Sequence, residues 1–335
     1  MSNLYLYEQG ITIGYKSNRL IITDANQNIS ETIPIEHIDN VIIFGGIQIS
    51  TVCMQNLLKR GIHLTILSKN GSYYGRLEST NNVNINRQRM QFRKSDNKEF
   101  CLKLAKQFIT GKASNQRTII SRYNRANKSE YVTDILKEMS LYIRKIEDCK
   151  TIEELMGIEG YIARLYYSAL SSYMKDEFKF TKRSKRPPKD PFNALISFGY
   201  TLLHYEIFTT IMSKGLNPYA AFLHSDKHKH AALCSDIMEE FRPILVDSLA
   251  VALINTNRIK IDDFEFNKDD GGVYLKKEGC KTFVNAFEKR MREEVGYIVD
   301  VSYKMSFRRI IEYQIMELIK MLEKDGYLYK PVLIR

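Results

Sequence analysis

The first 80 residues alternate short apolar segments with turn residues, a pattern typical of β-strands. The segments are rich in β-branched and aromatic residues, and glycine, asparagine or aspartate follows most of them. One helix interrupts the series: Ser50 or Thr51 can cap its start, and Gly61 ends it. The predicted strands cover residues 4–7, 11–15, 19–23, 32–35, 40–45 and 62–67, and a last strand follows a turn within 70–78. We therefore predict a small β-sandwich-like domain with one helix over residues 1–80.

After residue 86 the apolar positions recur every three or four residues, as in amphipathic helices. Phe100, Leu104 and Phe108, for example, lie four apart on one face of a predicted helix over 100–109. The same pattern predicts helices over 133–146, 152–174, 192–213, 231–255, 282–295 and 305–324. A polar run precedes this region, and within it we predict a linker over 81–86. The sequence thus predicts an α+β protein whose second domain, residues 87–335, is larger and all-helical.

The composition excludes several classes of protein. With 44% apolar residues the chain can bury a core, which excludes a disordered protein. No segment approaches the roughly 18–20 uncharged apolar residues that a membrane helix needs, and the first residues do not resemble a signal peptide. Five scattered cysteines without a CxxC motif argue against a disulfide framework or a multi-cysteine zinc site. We expect a cytoplasmic protein without membrane contact.

The net charge of +11 is unevenly distributed. Residues 1–80 hold six basic and six acidic residues, so the whole excess follows them. Residues 87–128 alone contain twelve basic and two acidic residues, and a second basic cluster, KRSKRPPKD, spans 182–190. Such clusters neutralise phosphates, although solvated helix faces also carry them. We predict DNA contacts from these two segments, with the candidates Arg87, Arg89, Arg93, Arg183, Lys185 and Arg186.

Histidines and carboxylates that could bind a metal are concentrated in two further segments. Three of the six histidines fall within seven residues, at His224, His228 and His230. Downstream, Asp236 pairs at helical spacing with either Glu239 or Glu240, so that two carboxylates project to one side. The remaining candidate is Glu159, beside the apolar stripe of its helix and flanked by Gly157 and Gly160. Two glycines inside a helix make sense where the backbone closely approaches another group.

One histidine with two carboxylates suits Mg²⁺ or Mn²⁺ better than zinc. Such an ion can polarise a phosphodiester and activate an attacking oxygen. The residues alone leave other interpretations open: Glu159 can be a solvated residue, and the acidic pair can be a surface helix end. A zinc site from His228, His230 and Cys234 is a weaker alternative, because no fourth ligand is evident.

Three ordered segments together resemble one known family. They are GIEGYIARLYY (157–167), RSKRPPKDPFNALISFGYTLL (183–203) and FLHSDKHKHAALCSDIMEEFRPILVD (222–247). They resemble the integrase of CRISPR adaptation, the first of the universal CRISPR-associated proteins, and the N-terminal strand–turn–helix is similar as well. The resemblance covers nearly the whole chain. It implies an N-terminal β domain that forms a homodimer, and a helical catalytic domain that binds one divalent metal.

The resemblance also implies roles for individual residues. The family's metal ligands match Glu159, His224 and Glu239, which would also be the catalytic residues. Asp236 matches an additional acidic position, and Arg242 matches a residue that contacts the DNA backbone. Because the loop after His224 is variable, His228 remains an alternative ligand.

The activity implied is metal-dependent phosphoryl transfer with Mg²⁺ or Mn²⁺. The 3′-hydroxyl of a captured DNA fragment would attack a repeat boundary of the CRISPR array, and with water the same site is an endonuclease. The implied partners are double-stranded DNA and the second universal CRISPR-associated protein, whose dimer bridges two homodimers in a heterohexamer. Two other functions remain open: a metal-dependent nuclease for branched DNA repair intermediates, and a non-catalytic scaffold that binds DNA ends.

Overall fold

The alternating segments near the N-terminus form two four-stranded sheets in a computed structural model that describes residues 2–69, 73–79, 83–298 and 301–334. The strands are β1 (Ser2–Leu6), β2 (Thr12–Lys16), β3 (Arg19–Thr23), β4 (Ile29–Pro34), β5 (Ile38–Phe44), β6 (Gln48–Ile49), β7 (His63–Leu67) and β8 (Tyr73–Leu77). One sheet has the order β1-β5-β7-β8, and the other has the order β4-β3-β2-β6. The predicted strands are confirmed. Residues 70–72 of the predicted turn lie outside the described residues.

Both sheets and one helix contribute to a single core. Helix α1 (Thr51–Lys59) begins after Ser50, whose hydroxyl accepts a hydrogen bond from the backbone N–H of Cys53 at 3.2 Å. Ile13 and Leu20 of one sheet, Val41 of the other and Leu57 of the helix are buried in one cluster. The β-sandwich-like arrangement with one helix is therefore confirmed.

The second part of the chain is mostly helical. Its helices are α2 (Ile85–Ser95), α3 (Lys98–Asn127), α4 (Glu130–Lys145), α5 (Ile152–Ser172), α6 (Pro191–Ser213), α7 (Ala232–Phe241), α8 (Ser248–Asn255), α9 (Lys277–Arg292) and α10 (Phe307–Glu323). The chain divides into two compact units, Met1–Asn82 and Val83–Arg335. Of the predicted linker, residues 81 and 82 lie outside the described residues, and residues 85 and 86 already belong to α2.

Three features of the second unit differ from the predicted pattern. It contains two short antiparallel strand pairs, β9 (Phe264–Phe266) with β10 (Val273–Leu275) and β11 (Glu294–Val295) with β12 (Met305–Ser306). Strands of two or three residues are too short to display an alternating pattern. Helix α3 is much longer than the predicted 100–109. The apolar pattern does not reveal the extension, because the buried stripe there includes the polar residues Asn115 and Gln116.

The segment predicted as one helix over 231–255 is interrupted in the middle. Between α7 and α8, residues Arg242–Asp247 form a π-helical turn. Pro243 lies within this turn and has no N–H to donate to an α-helical hydrogen bond, which favours the wider geometry. The turn lies directly after the carboxylates of α7.

Helix α3 is the central support of the second unit. It packs against α4, α5 and α7. At Gly111 the contact is close: a β-carbon there would lie 2.6 Å from Cβ of Pro331 and 3.3 Å from Cβ of Glu240. None of the helices in the described parts of the chain is long and apolar enough to cross a membrane.

Candidate active site

Two carboxylates predicted from the sequence meet at one lysine. Glu159 lies in the third turn of α5, and Thr151 caps this helix by accepting a hydrogen bond from the N–H of Glu154. Glu239 lies near the end of α7, where every residue is buried. The Lys112 ammonium on α3 donates a hydrogen bond to Oε1 of Glu159, and it lies 2.6 Å from Oε2 of Glu239. Three helices thus bring two carboxylates to one positive charge.

His224 lies beside this pair and is held by Asp236. Its Nε2 is 3.7 Å from Oε1 of Glu239, and its Nδ1 is 2.8 Å from Oδ1 of Asp236. Asp236 is buried, and it also accepts hydrogen bonds from the backbone N–H groups of Phe222, Leu223 and His224. A carboxylate at Nδ1 favours the tautomer in which Nε2 is free to bind a metal. Asp236 is therefore placed to orient His224.

A buried glutamine fixes the loop that contains His224. The side-chain amide of Gln91, on α2, donates to the carbonyl groups of Asn217 and Ala220 at 2.8 and 2.7 Å. Its oxygen accepts from the N–H of Asn217 at 2.8 Å. Helix α2 thus anchors residues that precede His224 in the loop between α6 and α7. No sequence motif marked this glutamine; its only signal was a polar residue on the buried side of a helix.

The charges around Glu239 keep it ionised. Burial alone would raise the pKa of this carboxyl group, but Arg242, Lys112 and His224 outweigh burial and lower the pKa to about 2. Burial would lower the pKa of Lys112, and the charges of Glu239 and Glu159 outweigh it in the opposite direction, so the pKa is raised. Glu239 and Lys112 are therefore both charged at neutral pH.

The donor set fits a hard divalent cation, although the present arrangement is not that of a metal centre. Among the described residues, no three His, Cys, Asp or Glu side chains converge closely enough to bind a metal ion. The reason is local, because Lys112 already occupies the position to which Glu159 and Glu239 both point. Two carboxylates that share a cation, with an oriented imidazole beside them, are the ligand types that suit Mg²⁺ or Mn²⁺.

Arg242 is a second basic residue beside Glu239, after Lys112. Its Nη2 is 3.5 Å from Oε1 of Glu239, and its guanidinium lies 4.9 Å from the centre of the Tyr200 ring. Its Nε is buried and has no hydrogen-bond partner among the described residues. A buried guanidinium with an unused donor is suited to an anion such as a phosphate.

The other basic candidates fall into two groups. Arg183 precedes α6 and donates hydrogen bonds to Asn193 and Ser197 of that helix. The neighbouring Lys185 is exposed. Partial loss of water around the Lys185 ammonium, together with the charges of Arg242 and Arg183, lowers its pKa. This cluster therefore lies within electrostatic range of the carboxylates. Arg186 is exposed.

The candidates on α2 lie in a different environment. Arg87 is held within the chain, since it donates to Glu323 and to the carbonyl of Lys214. Arg89 and Arg93 are exposed. Contacts with DNA from these two remain a prediction.

The structure distinguishes the alternative histidines from His224, and one possible acidic pair from the other. His228 is exposed, and His230 contacts Ser235 at 3.2 Å. Glu240 accepts hydrogen bonds from Tyr329, Gln314 and Val332, so it fixes the C-terminal segment. Of the two possible acidic pairs, Asp236 with Glu239 is therefore the one that faces His224.

No other part of the described chain closely approaches the glycines of α5. Apart from the backbone of α5 itself, no atom there would lie within 4 Å of a β-carbon at Gly157 or Gly160. Both residues are exposed, and α5 is continuous through them.

The sequence also indicates that Lys112 is buried, although this is easily missed because Lys112 stands in a segment of many basic residues. Lys112 follows Leu104 and Phe108 at intervals of four, so it lies on the buried stripe of α3. A lysine there needs a buried partner of opposite charge, because an unpaired buried ammonium is costly.

A buried cluster of carboxylates and an oriented histidine, with an arginine beside it, is typical of enzymes that act on phosphodiesters. Comparison with known proteins narrows this class. Residues 4–289 match the family described as CRISPR associated protein Cas1. A CRISPR-associated endonuclease Cas1 from Clostridium perfringens is 32% identical over 335 residues, which cover 98% of this chain and 97% of the relative. The chain belongs to the Cas1 family.

Solved structures agree with this assignment. A Cas1 protein from Thermotoga maritima superposes with a TM-score of 0.83 at 26% identity, covering 97% of this chain and 98% of that one. A chain of a Cas6-RT-Cas1–Cas2 complex matches with a TM-score of 0.83 at 25% identity, over 99% of this chain and 36% of that chain. A casposase bound to an integration product has the same fold, with a TM-score of 0.84 at 24% identity over 98% of this chain and 93% of that one.

Proposed function

We propose that this chain is a divalent-metal-dependent DNA endonuclease and strand-transfer integrase that inserts captured DNA fragments into a CRISPR array. The observation that carries the proposal is the convergence of Glu159 and Glu239 on one cation position, with Nε2 of His224 facing Glu239. Membership in a family whose relatives are named endonucleases supports the hydrolytic half. The same centre serves hydrolysis and transesterification, because only the attacking oxygen differs.

Glu159, His224 and Glu239 would hold Mg²⁺ or Mn²⁺. When bound, such an ion neutralises charge on the scissile phosphate and lowers the pKa of the attacking hydroxyl or water. Asp236 contributes by holding Nδ1 of His224 at 2.8 Å, so that the imidazole keeps one orientation and one tautomer.

The basic side chains near the centre would bind the DNA backbone. Arg242 would offer its unused donor to the phosphate next to the reacting one, while Tyr200 holds the guanidinium in place through its ring face. Lys185 and Arg183 add positive charge on the same side. The exposed Arg186, Arg89 and Arg93 would extend this contact along a duplex, in a salt-sensitive way.

The proposal includes two protein partners. The first unit would form a homodimer, and two such dimers would join a dimer of the second universal CRISPR-associated protein. A similar chain within a Cas6-RT-Cas1–Cas2 complex supports that partner.

Strand transfer with matched variants tests the function. Labelled duplex DNA with free 3′-hydroxyls, a supercoiled repeat-containing plasmid and the second protein are incubated with Mn²⁺ or with EDTA. We expect label in the plasmid with Mn²⁺ only. Glu159→Gln and His224→Ala should lower the rate at least about a hundredfold, because several kcal/mol of charge stabilisation are lost. DNA binding should survive in both variants.

Two controls use exposed residues close to the changed ones. Glu153→Gln lies on the same helix as Glu159, and His228→Ala lies in the same loop as His224. Both should retain the wild-type rate. Normal strand transfer by Glu159→Gln or His224→Ala would contradict the ligand assignment. Metal-dependent nicking without joining would favour the nuclease for branched DNA, and binding without chemistry would favour the scaffold.

A further inference from the structure

Lys112 is the residue that the proposed function leaves without a role, although it lies at the centre of the site. Its side chain is only 13% exposed, and its ammonium contacts Glu159 and Glu239, two of the three proposed metal ligands. The ammonium therefore occupies the position in which these two carboxylates would share a divalent cation.

The charge balance indicates that Lys112 and a metal ion exclude each other. Lys112 and Arg242 together already balance the charges of Glu159 and Glu239. A divalent ion added while the ammonium stays in place would leave the largely buried site with an excess of positive charge, even with Asp236 counted, which is unfavourable. At 2.6 Å from Oε2 of Glu239, the ammonium also takes the oxygen that a metal would need.

The same contacts stabilise the arrangement of Glu159 and Glu239 when no metal is bound. Two buried carboxylates that face one position repel each other when nothing positive lies between them. The ammonium removes this repulsion, and Lys112 reaches the two carboxylates from a buried part of the central helix α3, between Gly111 and Ala113.

We propose that Lys112 is an internal substitute for the metal: it holds Glu159 and Glu239 together in the metal-free enzyme and must leave them when a divalent ion binds. The inference rests on the proposed function, since it takes Glu159 and Glu239 as metal ligands. Lys112 is then a positioning residue that sets the metal affinity of the site.

Metal titration measures this competition without using the reaction. The full chain is stripped with a chelator and titrated with MnCl₂ in a calorimeter, and its thermal midpoint is measured in parallel. Lys112→Met removes the competing charge and nearly preserves the length of the side chain. We expect it to bind Mn²⁺ about tenfold tighter than the wild type. Its metal-free form should melt earlier, and Mn²⁺ should stabilise it more.

Three further variants make the titration specific. Lys103→Met changes an exposed lysine of the same helix and should leave the affinity unchanged. Lys112→Arg keeps the positive charge and should bind Mn²⁺ much less tightly than Lys112→Met. Glu159→Gln removes a proposed ligand and should weaken binding.

Chemical labelling tests the movement in the unmodified protein. An amine-selective acetylating reagent is applied with and without saturating Mn²⁺, and the sites are mapped by mass spectrometry. Acetylation of Lys112 should be slow in the metal-free protein and several-fold faster with Mn²⁺, whereas that of Lys103 should not change. Equal or slower labelling of Lys112 with Mn²⁺ would overturn the inference.

The outcomes distinguish this inference from the proposed function. If Glu159→Gln weakens Mn²⁺ binding but Lys112→Met fails to tighten it, the metal site stands and the role of Lys112 is wrong. If the wild type binds no Mn²⁺, or Glu159→Gln binds as well as the wild type, the proposed metal site is wrong, and the inference about Lys112 falls with it.

Discussion

Asp247 is a buried carboxyl group at the end of the π-helical turn that begins with Arg242. The hydroxyl groups of Tyr166 and Tyr200 both donate hydrogen bonds to it. Burial raises the pKa of Asp247 from 3.8 to about 6, although these hydrogen bonds oppose the shift. Two tyrosines of the segments that resemble the family thus bind a structural acid near the site.

This pKa predicts how stability depends on pH. Between pH 4 and 6 the unfolded chain has lost the Asp247 proton and the native protein retains it, so the free energy of unfolding falls as pH rises. The interval from 3.8 to about 6 corresponds to about 3 kcal/mol. Above pH 7 the contribution is constant. We expect the Asp247→Asn variant to lack this pH-dependent contribution to the free energy of unfolding.

Urea denaturation of the wild type and Asp247→Asn at pH 4, 5, 6 and 7 measures it. The difference in unfolding free energy between the two proteins should change by about 2 kcal/mol from pH 4 to pH 7, because the unfolded carboxyl group is already partly ionised at pH 4. A difference that is the same at every pH would show that Asp247 does not titrate in this range.

At the residue scale, the sequence led to most of the centre. Glu159, His224, Asp236 and Glu239 stand in motifs, and the structure brings them together. Lys112 was hidden because its partners are 47 and 127 positions away, and one sequence contains no record of which distant charges meet. Its place on a buried stripe was the only local signal.

At the scale of elements, the close contact of α3 with α7 and with the C-terminal segment depends on Gly111. A β-carbon there would meet Pro331 at 2.6 Å, which is too short for two carbon atoms. We expect Gly111→Ala to destabilise the protein by about 1–3 kcal/mol through overpacking, despite the better helix propensity of alanine. Chemical denaturation measures this loss.

Gly160→Ala on α5 is the matched control, because a β-carbon there meets nothing within 4 Å. It should stabilise the protein by up to about 1 kcal/mol through helix propensity alone. If Gly111→Ala were as stable as Gly160→Ala, the close packing at α3 would be unimportant.

The elements themselves were predictable where their patterns are long. The strands of the first unit and most helices of the second follow from alternation or from a period of three to four residues. The extension of α3 was not predictable in this way, because Asn115 is buried for its hydrogen bonds to Glu240, Val332 and Ile334 rather than for apolar packing. The short strand pairs depend on partners outside their own segments.

At the scale of the whole molecule, the net positive charge belongs to only one of the two units. The first 80 residues have equal numbers of basic and acidic residues, and the net charge of +11 lies beyond them, in the part that contains the carboxylate centre. A polyanion would therefore be attracted to the helical unit. The fold class and the family were both predictable from the sequence, since the resemblance extends over nearly the whole chain.

In the proposed metal centre, Glu159, His224 and Glu239 bind one divalent cation. Anomalous diffraction from crystals of the protein soaked in MnCl₂ tests it most directly. We expect one strong manganese peak within coordination distance of Nε2 of His224 and of the carboxylates of Glu159 and Glu239, with the Lys112 ammonium moved away. A saturating soak that leaves Lys112 between the carboxylates, with manganese elsewhere or absent, would contradict it.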